Sequence, residues 1–167
     1  MSDFLSAAHK AALRQEVAVS TAINALVPAA IIWLLDVSPP QRLIGPDTIL
    51  GALVPASGLA TLVMTLVLTA IVRARVAKGT VPALAWPRSE RGIYRLVPHS
   101  LPLRALALAL LAIVLLVPVG WAVVAVTGIL PLTKLGALAF NIAFGAAVGL
   151  VMTRFVVLPA LADGSEP

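Results

Sequence analysis

RARVAKGTVPALAWPRSERGIYRLVPHSLPLR, residues 73–104, carries Arg73, Arg75, Lys78, Arg88, Arg91, Arg95 and Arg104 against a single acid, Glu90, and divides two long apolar halves of the chain. Seven of the twelve basic residues fall in this one segment. Short loops rich in Lys and Arg stay on the cytoplasmic side of a membrane, so the segment reads as a cytoplasmic loop (73–100) that orients everything on either side of it. Pro82, Pro87, Pro98 and Pro102 break it into short pieces. Between them, residues 89–97 are expected to form two helical turns with a basic stripe of Arg88, Arg91 and Arg95 and an apolar stripe of Ile93, Leu96 and Val97. With Trp86 and Tyr94 alongside, that is the pattern of a segment lying on the membrane surface, its basic residues against lipid headgroups.

Working outward towards the N-terminus, residues 48–72 form an apolar span with Asp47 as its expected N-cap. A loop with Asp36, Pro39, Pro40 and Arg42 precedes it. Before that loop, residues 17–35 are 19 positions without a charge, with Trp33 at the far end. At about 1.5 Å per residue they measure about 28 Å, close to the hydrocarbon thickness. Residues 1–16 read as an interfacial helix capped by Ser2 or Asp3, with Phe4, Leu5, Ala8 and Ala12 on one side and His9, Lys10 and Arg14 carrying its charge. The apolar run continues past the small-residue region at 27–30, so this segment is expected to stay in the chain rather than be removed as a leader. Towards the C-terminus, Ser100 caps a span at 101–126 with Trp121 near its end. A turn with Gly128 and Pro131 leads to a fourth span at 134–158 and a tail at 159–167.

Composition agrees with this reading. At 60% hydrophobic and 11% charged, the chain has too few charges to cover a soluble globule of 167 residues. The expected fold is an all-α membrane protein of four transmembrane helices in an up-down bundle, which returns both termini to one side. Lys10, Arg14, Arg154 and the central loop put ten basic residues on that side against Arg42 and Lys134 on the other, so both termini are expected in the cytoplasm and the protein in an inner membrane. The net charge of +5 is explained by anionic lipid, and no nucleic-acid partner is expected. The absence of cysteine excludes disulfides, thiolate metal sites and thiol redox chemistry.

Small and polar residues recur at helical spacing within the spans. Glu16, Ser20, Asn24 and Pro28 step by four along the first; Ser57, Thr61, Thr65 and Thr69 along the second; Ala137, Asn141, Gly145, Gly149 and Thr153 along the fourth. Such stripes let backbones approach and exchange hydrogen bonds, with Gly145 and Gly149 as the Gly-x-x-x-Gly packing pair. The third span, mostly Leu, Ala and Val, is the one expected to face lipid. The plain interpretation is a packed polar interior. The sharper one is a midplane site around Asn24, Thr61, Thr65 and Asn141, helped by carbonyls of Asn24, Gly51 and Val114 that Pro28, Pro55 and Pro118 leave without a donor.

Glu16 and Arg154 fall at nearly the same depth, so a salt bridge between them, or from Glu16 to Arg73, is expected. His9 and His99 read as solvated interfacial residues. No phosphate loop, Gly-x-Ser-x-Gly elbow or His-Glu-x-x-His occurs, so neither an enzyme nor a cofactor or metal is expected. Leu62-Val63-Met64-Thr65 recurs as Leu150-Val151-Met152-Thr153, and Pro28 and Pro118 are similarly placed, which suggests a parallel repeat. Together these features point to a non-catalytic helix-packing or accessory subunit that meets partner helices, or a second copy of itself, and anionic lipid. The alternative is a small transporter or channel subunit.

Overall fold

The computed structural model describes residues 5–35, 43–87 and 92–163, and the structure is given for these alone. Four helices dominate: α1 (Ala7–Leu35), α2 (Pro46–Ala77), α3 (Leu101–Thr127) and α4 (Lys134–Asp163). Helices α2, α3 and α4 are each long and apolar enough to cross a membrane, with mean hydropathies of 1.9, 2.7 and 2.0 over their best windows. They leave large apolar side chains such as Leu59, Leu110, Val114 and Leu150 uncovered. Hydrocarbon solvates such a surface, and helices satisfy their own backbone within it. The fold is that of a helical, membrane-embedded protein.

The helix ends follow local chemistry. Ser6 and His9 cap α1 reciprocally: the His9 amide donates to Ser6 Oγ and the Ser6 amide to His9 Nδ1, both at 3.3 Å. The other expected caps, Ser2 and Asp3, lie outside the described residues. No Gly or Pro interrupts Arg14-Gln15-Glu16, so α1 runs unbroken from Ala7 into the apolar segment, and residues 7–16 belong to the same helix as 17–35. Helix α2 starts before Asp47, with Gly45 at the N-cap and Pro46 in the first turn; Asp47 meets the positive end of the helix dipole instead of capping it. Helix α4 carries on through Pro159 to Asp163, so residues 159–163 are helical rather than tail. The carbonyl of Leu161, with no partner further along the helix, accepts the amide of Leu84 at 3.0 Å.

The helices lie in the spatial order α1, α4, α2, α3: α1 packs on α4, α4 on α2, and α2 on α3, while α1 barely touches α2. Of the chain neighbours, α2 and α3 pack closely, while α1 and α2, and α3 and α4, touch little. Two short strands, β1 (Leu43–Ile44) and β2 (Leu132–Thr133), pair antiparallel and tie together the turns at one end, with Leu43 opposite Thr133. Helices α2 and α4 therefore start at the same end and run parallel. Lys134 sits over the Trp33 ring, 5.1 Å from its centroid, at that end too.

Exchanging the halves reproduces this pattern, since α1 on α4 corresponds to α3 on α2. Gly145 of α4 faces Asn24 of α1, and Gly58 of α2 faces Ile113 of α3 at the matching level. The ion pairs match as well, with their signs exchanged: Glu16 of α1 binds Arg75 of α2, and Asp163 of α4 binds Arg104 of α3. An offset of 88 residues carries 16 to 104 and 75 to 163. The two halves are thus arranged about a pseudo-two-fold axis parallel to the helices.

At the end opposite the strands, the basic loop folds over the last turns of α4. Trp86 and Tyr94 are buried, their rings 5.2 Å apart and Tyr94 5.1 Å from Phe155. These tilted ring contacts bury both side chains against the protein, with α4 supplying the apolar partner Phe155. Among the described residues of the loop, Gly92–Leu96 is helical, as a short 3-10 segment. Arg88 and Arg91 lie outside the described residues. His9 is buried rather than solvated: its Nε2 meets the Pro82 carbonyl at 2.8 Å and its Nδ1 is held by Ser6.

Asp163 accepts two bonds from Arg104, at 2.8 and 2.9 Å, and another from Arg73 at 2.7 Å. Arg104 is 1% exposed, so Asp163→Asn would strand a buried charge at a cost of about 3–5 kcal/mol. Thermal unfolding in detergent is expected to show that loss. Glu16→Gln should cost about 1 kcal/mol or less, because the half-exposed Arg75 can turn to solvent.

Candidate functional site

The polar stripe of α1 meets α4 and α2 near the middle of the helices. Ser20 Oγ donates to the Met64 thioether at 2.7 Å, and the Asn24 amide donates to the Ser20 carbonyl at 2.8 Å and to Met64 Sδ at 3.3 Å. Thr153 of α4 lies 3.7 Å from the same sulfur. Three helices thus converge on one weak acceptor. Asn141 donates to the Ala137 carbonyl at 2.8 Å, Thr65 to Thr61 at 2.7 Å and Ser57 to Leu53 at 2.8 Å, each bonding back to its own helix. The hydroxyls of Thr21, Thr61 and Thr69 are buried without a hydrogen-bond partner.

The glycines make this convergence possible. A Cβ on Gly145 would overlap the carbonyl oxygen of Asn24, and one on Gly149 would lie 2.6 Å from the Cα of Thr21. The Asn24 carbonyl is the one that Pro28 leaves without an amide donor. Backbone contact with α4, with a glycine Cα hydrogen pointing at the oxygen, takes the place of that bond.

Because α1 leans on α4, a cleft of about 630 Å³ opens between α1 and α2. Val19, Ile23 and Val27 line one side and Leu59, Val63 and Val67 the other, with Ser20, Asn24 and Asn141 on its wall. Thr61 and Thr65 do not reach it; both are fully buried. Of the polar residues singled out in the sequence, the structure therefore brings Ser20, Asn24 and Asn141 to one surface. It holds Thr61 and Thr65 inside the packing. A continuous polar path through all four midplane positions is not formed.

The charged candidates distribute differently. Glu16 is buried and pairs with Arg75, not with Arg154 or Arg73. Arg73 turns to Asp163 and to the His99 carbonyl at 3.0 Å. The guanidinium groups of Arg73 and Arg75, expected at lipid headgroups, are thus engaged by carboxylates of the chain. Lys78 and Arg95 are exposed, as is Arg154. Burial pushes the Tyr94 phenol above its ordinary range, and the nearby charge of Arg154 opposes the shift. Among the described residues no group of three or more His, Asp or Glu is placed to hold a metal.

Sequence reasoning missed Met64 as the shared acceptor and Asp163 as the hub of the end opposite the strands. The offset of 88 residues was the available signal for Asp163, because it maps Arg75 onto that position. Comparison with protein-family models, curated proteins and solved structures returns no match to this chain.

Gly145→Ala is expected to destabilise the fold by about 1–3 kcal/mol, since the added methyl meets backbone that cannot swing aside. Gly51→Ala, with open space around it, is expected to be neutral or slightly stabilising. Unfolding of both variants in detergent checks the contrast; equal effects would contradict it.

Proposed function

We propose that the chain is a four-span inner-membrane protein with both termini in the cytoplasm, acting without catalysis as a packing subunit for a transmembrane helix of a partner protein. Helix α1 is the fourth span in this reading, supported by its uncharged run at 17–35 and its antiparallel contact with α4. The excess of basic residues at the end away from the strands supports the orientation. Headgroups of anionic lipid meet the exposed basic residues of the loop, Lys78 and Arg95 among them.

The observation that carries the functional reading is the cleft between α1 and α2. Its two walls present apolar side chains at four-residue steps, Val19, Ile23 and Val27 facing Leu59, Val63 and Val67. Ridges at that spacing interdigitate with the ridges of a third helix. Asn24 and Asn141 on the wall offer it a polar register point. The same two amides favour the second reading, a solute path, and a single experiment separates the readings.

The chain has no native cysteine, so single substitutions report without background. Cysteines at Val63 and Ile23 are expected to cross-link to one discrete partner in native membranes, while a cysteine at Val114, exposed on α3, is expected to give none. Cross-linking equal at all three positions, or none at the cleft together with solute flux through the purified protein in vesicles, would replace this reading with transport or lipid exposure.

A further inference from the structure

A second groove runs along a different face of α1, against α4, with a volume of about 680 Å³. Lys10, Arg14 and Arg154 line its inner end; Val17, Ala22, Leu26 and Leu150 line the rest. The antiparallel register set by Gly145 against Asn24 and Gly149 against Thr21 brings Arg154 level with the turn at Glu16 and Val17. Three positive charges from two helices therefore line one end of the groove. Among the described residues none has a carboxylate within ion-pairing distance: Glu16 is taken by Arg75, and Asp163 by Arg73 and Arg104. The neighbour that feels the charge of Arg154 is the Tyr94 phenol.

These charges have no counterpart on the pseudo-symmetric side of the fold. At the same offset of 88 residues, Lys10 corresponds to Pro98, Arg14 to Pro102 and Arg154 to Leu66. The matching face of α3 and α2 is thus apolar, although the packing there is equivalent. A cluster of cations above an apolar furrow, without a counterpart at the pseudo-symmetric positions, is complementary to an anionic amphiphile.

We infer that this groove seats one anionic glycerophospholipid, its phosphate held by Lys10, Arg14 and Arg154 and one acyl chain laid along Val17, Ala22 and Leu26. The inference rests on the membrane placement proposed above. The site differs from the basic loop in being built: cations from two helices share a single ligand, and the furrow beneath fixes the orientation of the tail. Each basic residue near an anionic lipid is worth about a factor of five in affinity, so the three together supply roughly a hundredfold.

The test is native mass spectrometry of the full chain in mild detergent, titrated with phosphatidylglycerol or phosphatidylcholine. One phosphatidylglycerol is expected to be retained in preference to phosphatidylcholine, about fivefold less for Arg14→Gln or Arg154→Gln and roughly a hundredfold less for the triple Gln variant. Arg14→Lys and Arg154→Lys are expected to retain it. Soluble glycerol 3-phosphate is not expected to compete. Equal retention of the two lipids, binding unchanged in a triple variant that melts like the parent, or displacement by glycerol 3-phosphate would overturn the lipid seat. Release of the chain from membranes by alkaline carbonate would instead overturn the membrane placement beneath it.

Discussion

Pro28 deprives the carbonyl of Asn24 of its amide donor halfway along α1, and Gly145 brings the backbone of α4 onto that oxygen. An unsatisfied backbone group in hydrocarbon costs several kcal/mol, whereas a Cα–H···O contact returns about 0.5–1 kcal/mol. The contact alone does not make good the loss. Its larger effect is to keep the oxygen out of lipid and draw two helices close enough for extensive dispersion contact. The arrangement of helices follows. Helix α1, drawn to α4 by its stripe of small and polar groups, leaves its chain neighbour α2, and the space between α1 and α2 becomes the cleft. The same contact explains why a freed carbonyl in this position does not make a cation site: a cation needs several converging oxygens, and this one is covered by α4.

The pseudo-two-fold relation gives the rest of the molecule a common logic. Each hairpin is pinned at one end by a carboxylate and a guanidinium, with the charges exchanged between halves, and the strands β1 and β2 join the hairpins at the other end. Where the halves differ, function is the natural reason. The α2–α3 contact has Ile113 against Gly58 where the α1–α4 contact has the backbone of Asn24 against Gly145. Likewise, the basic groove lies on the α1–α4 side, and its cations have Pro98, Pro102 and Leu66 as counterparts.

Much of the fold was legible because apolar run length and charge placement act locally. The third helix, expected at 101–126, spans Leu101–Thr127, for it begins after a Ser-Leu-Pro start and ends at Gly128 in the left-handed conformation. Ends set by long-range contact were not legible. Helix α4 continues past 158, where the basic loop covers its last turns, and Trp86 and Tyr94 are buried there with Phe155. The polar candidates were found by spacing, but spacing cannot say which hydroxyl bonds its own helix. Thr61 and Thr65 were therefore grouped with Asn24 and Asn141, although only the two amides reach the cleft. Pairing among charges was beyond local reasoning too, since Arg75 and Arg73 lie two residues apart and choose acids on different helices.

If α1 and α4 meet backbone to backbone through the thickness of the bilayer, the two ends of α1 must lie on opposite sides of it. Labelling of intact cells with a membrane-impermeant thiol reagent, on single cysteines at Ser6 and Leu43, measures this directly. Leu43→Cys should react from outside and Ser6→Cys only after permeabilisation. Reaction of both from the same side would mean that α1 does not traverse the membrane, and the contact between Asn24 and Gly145 would have no place in the native protein.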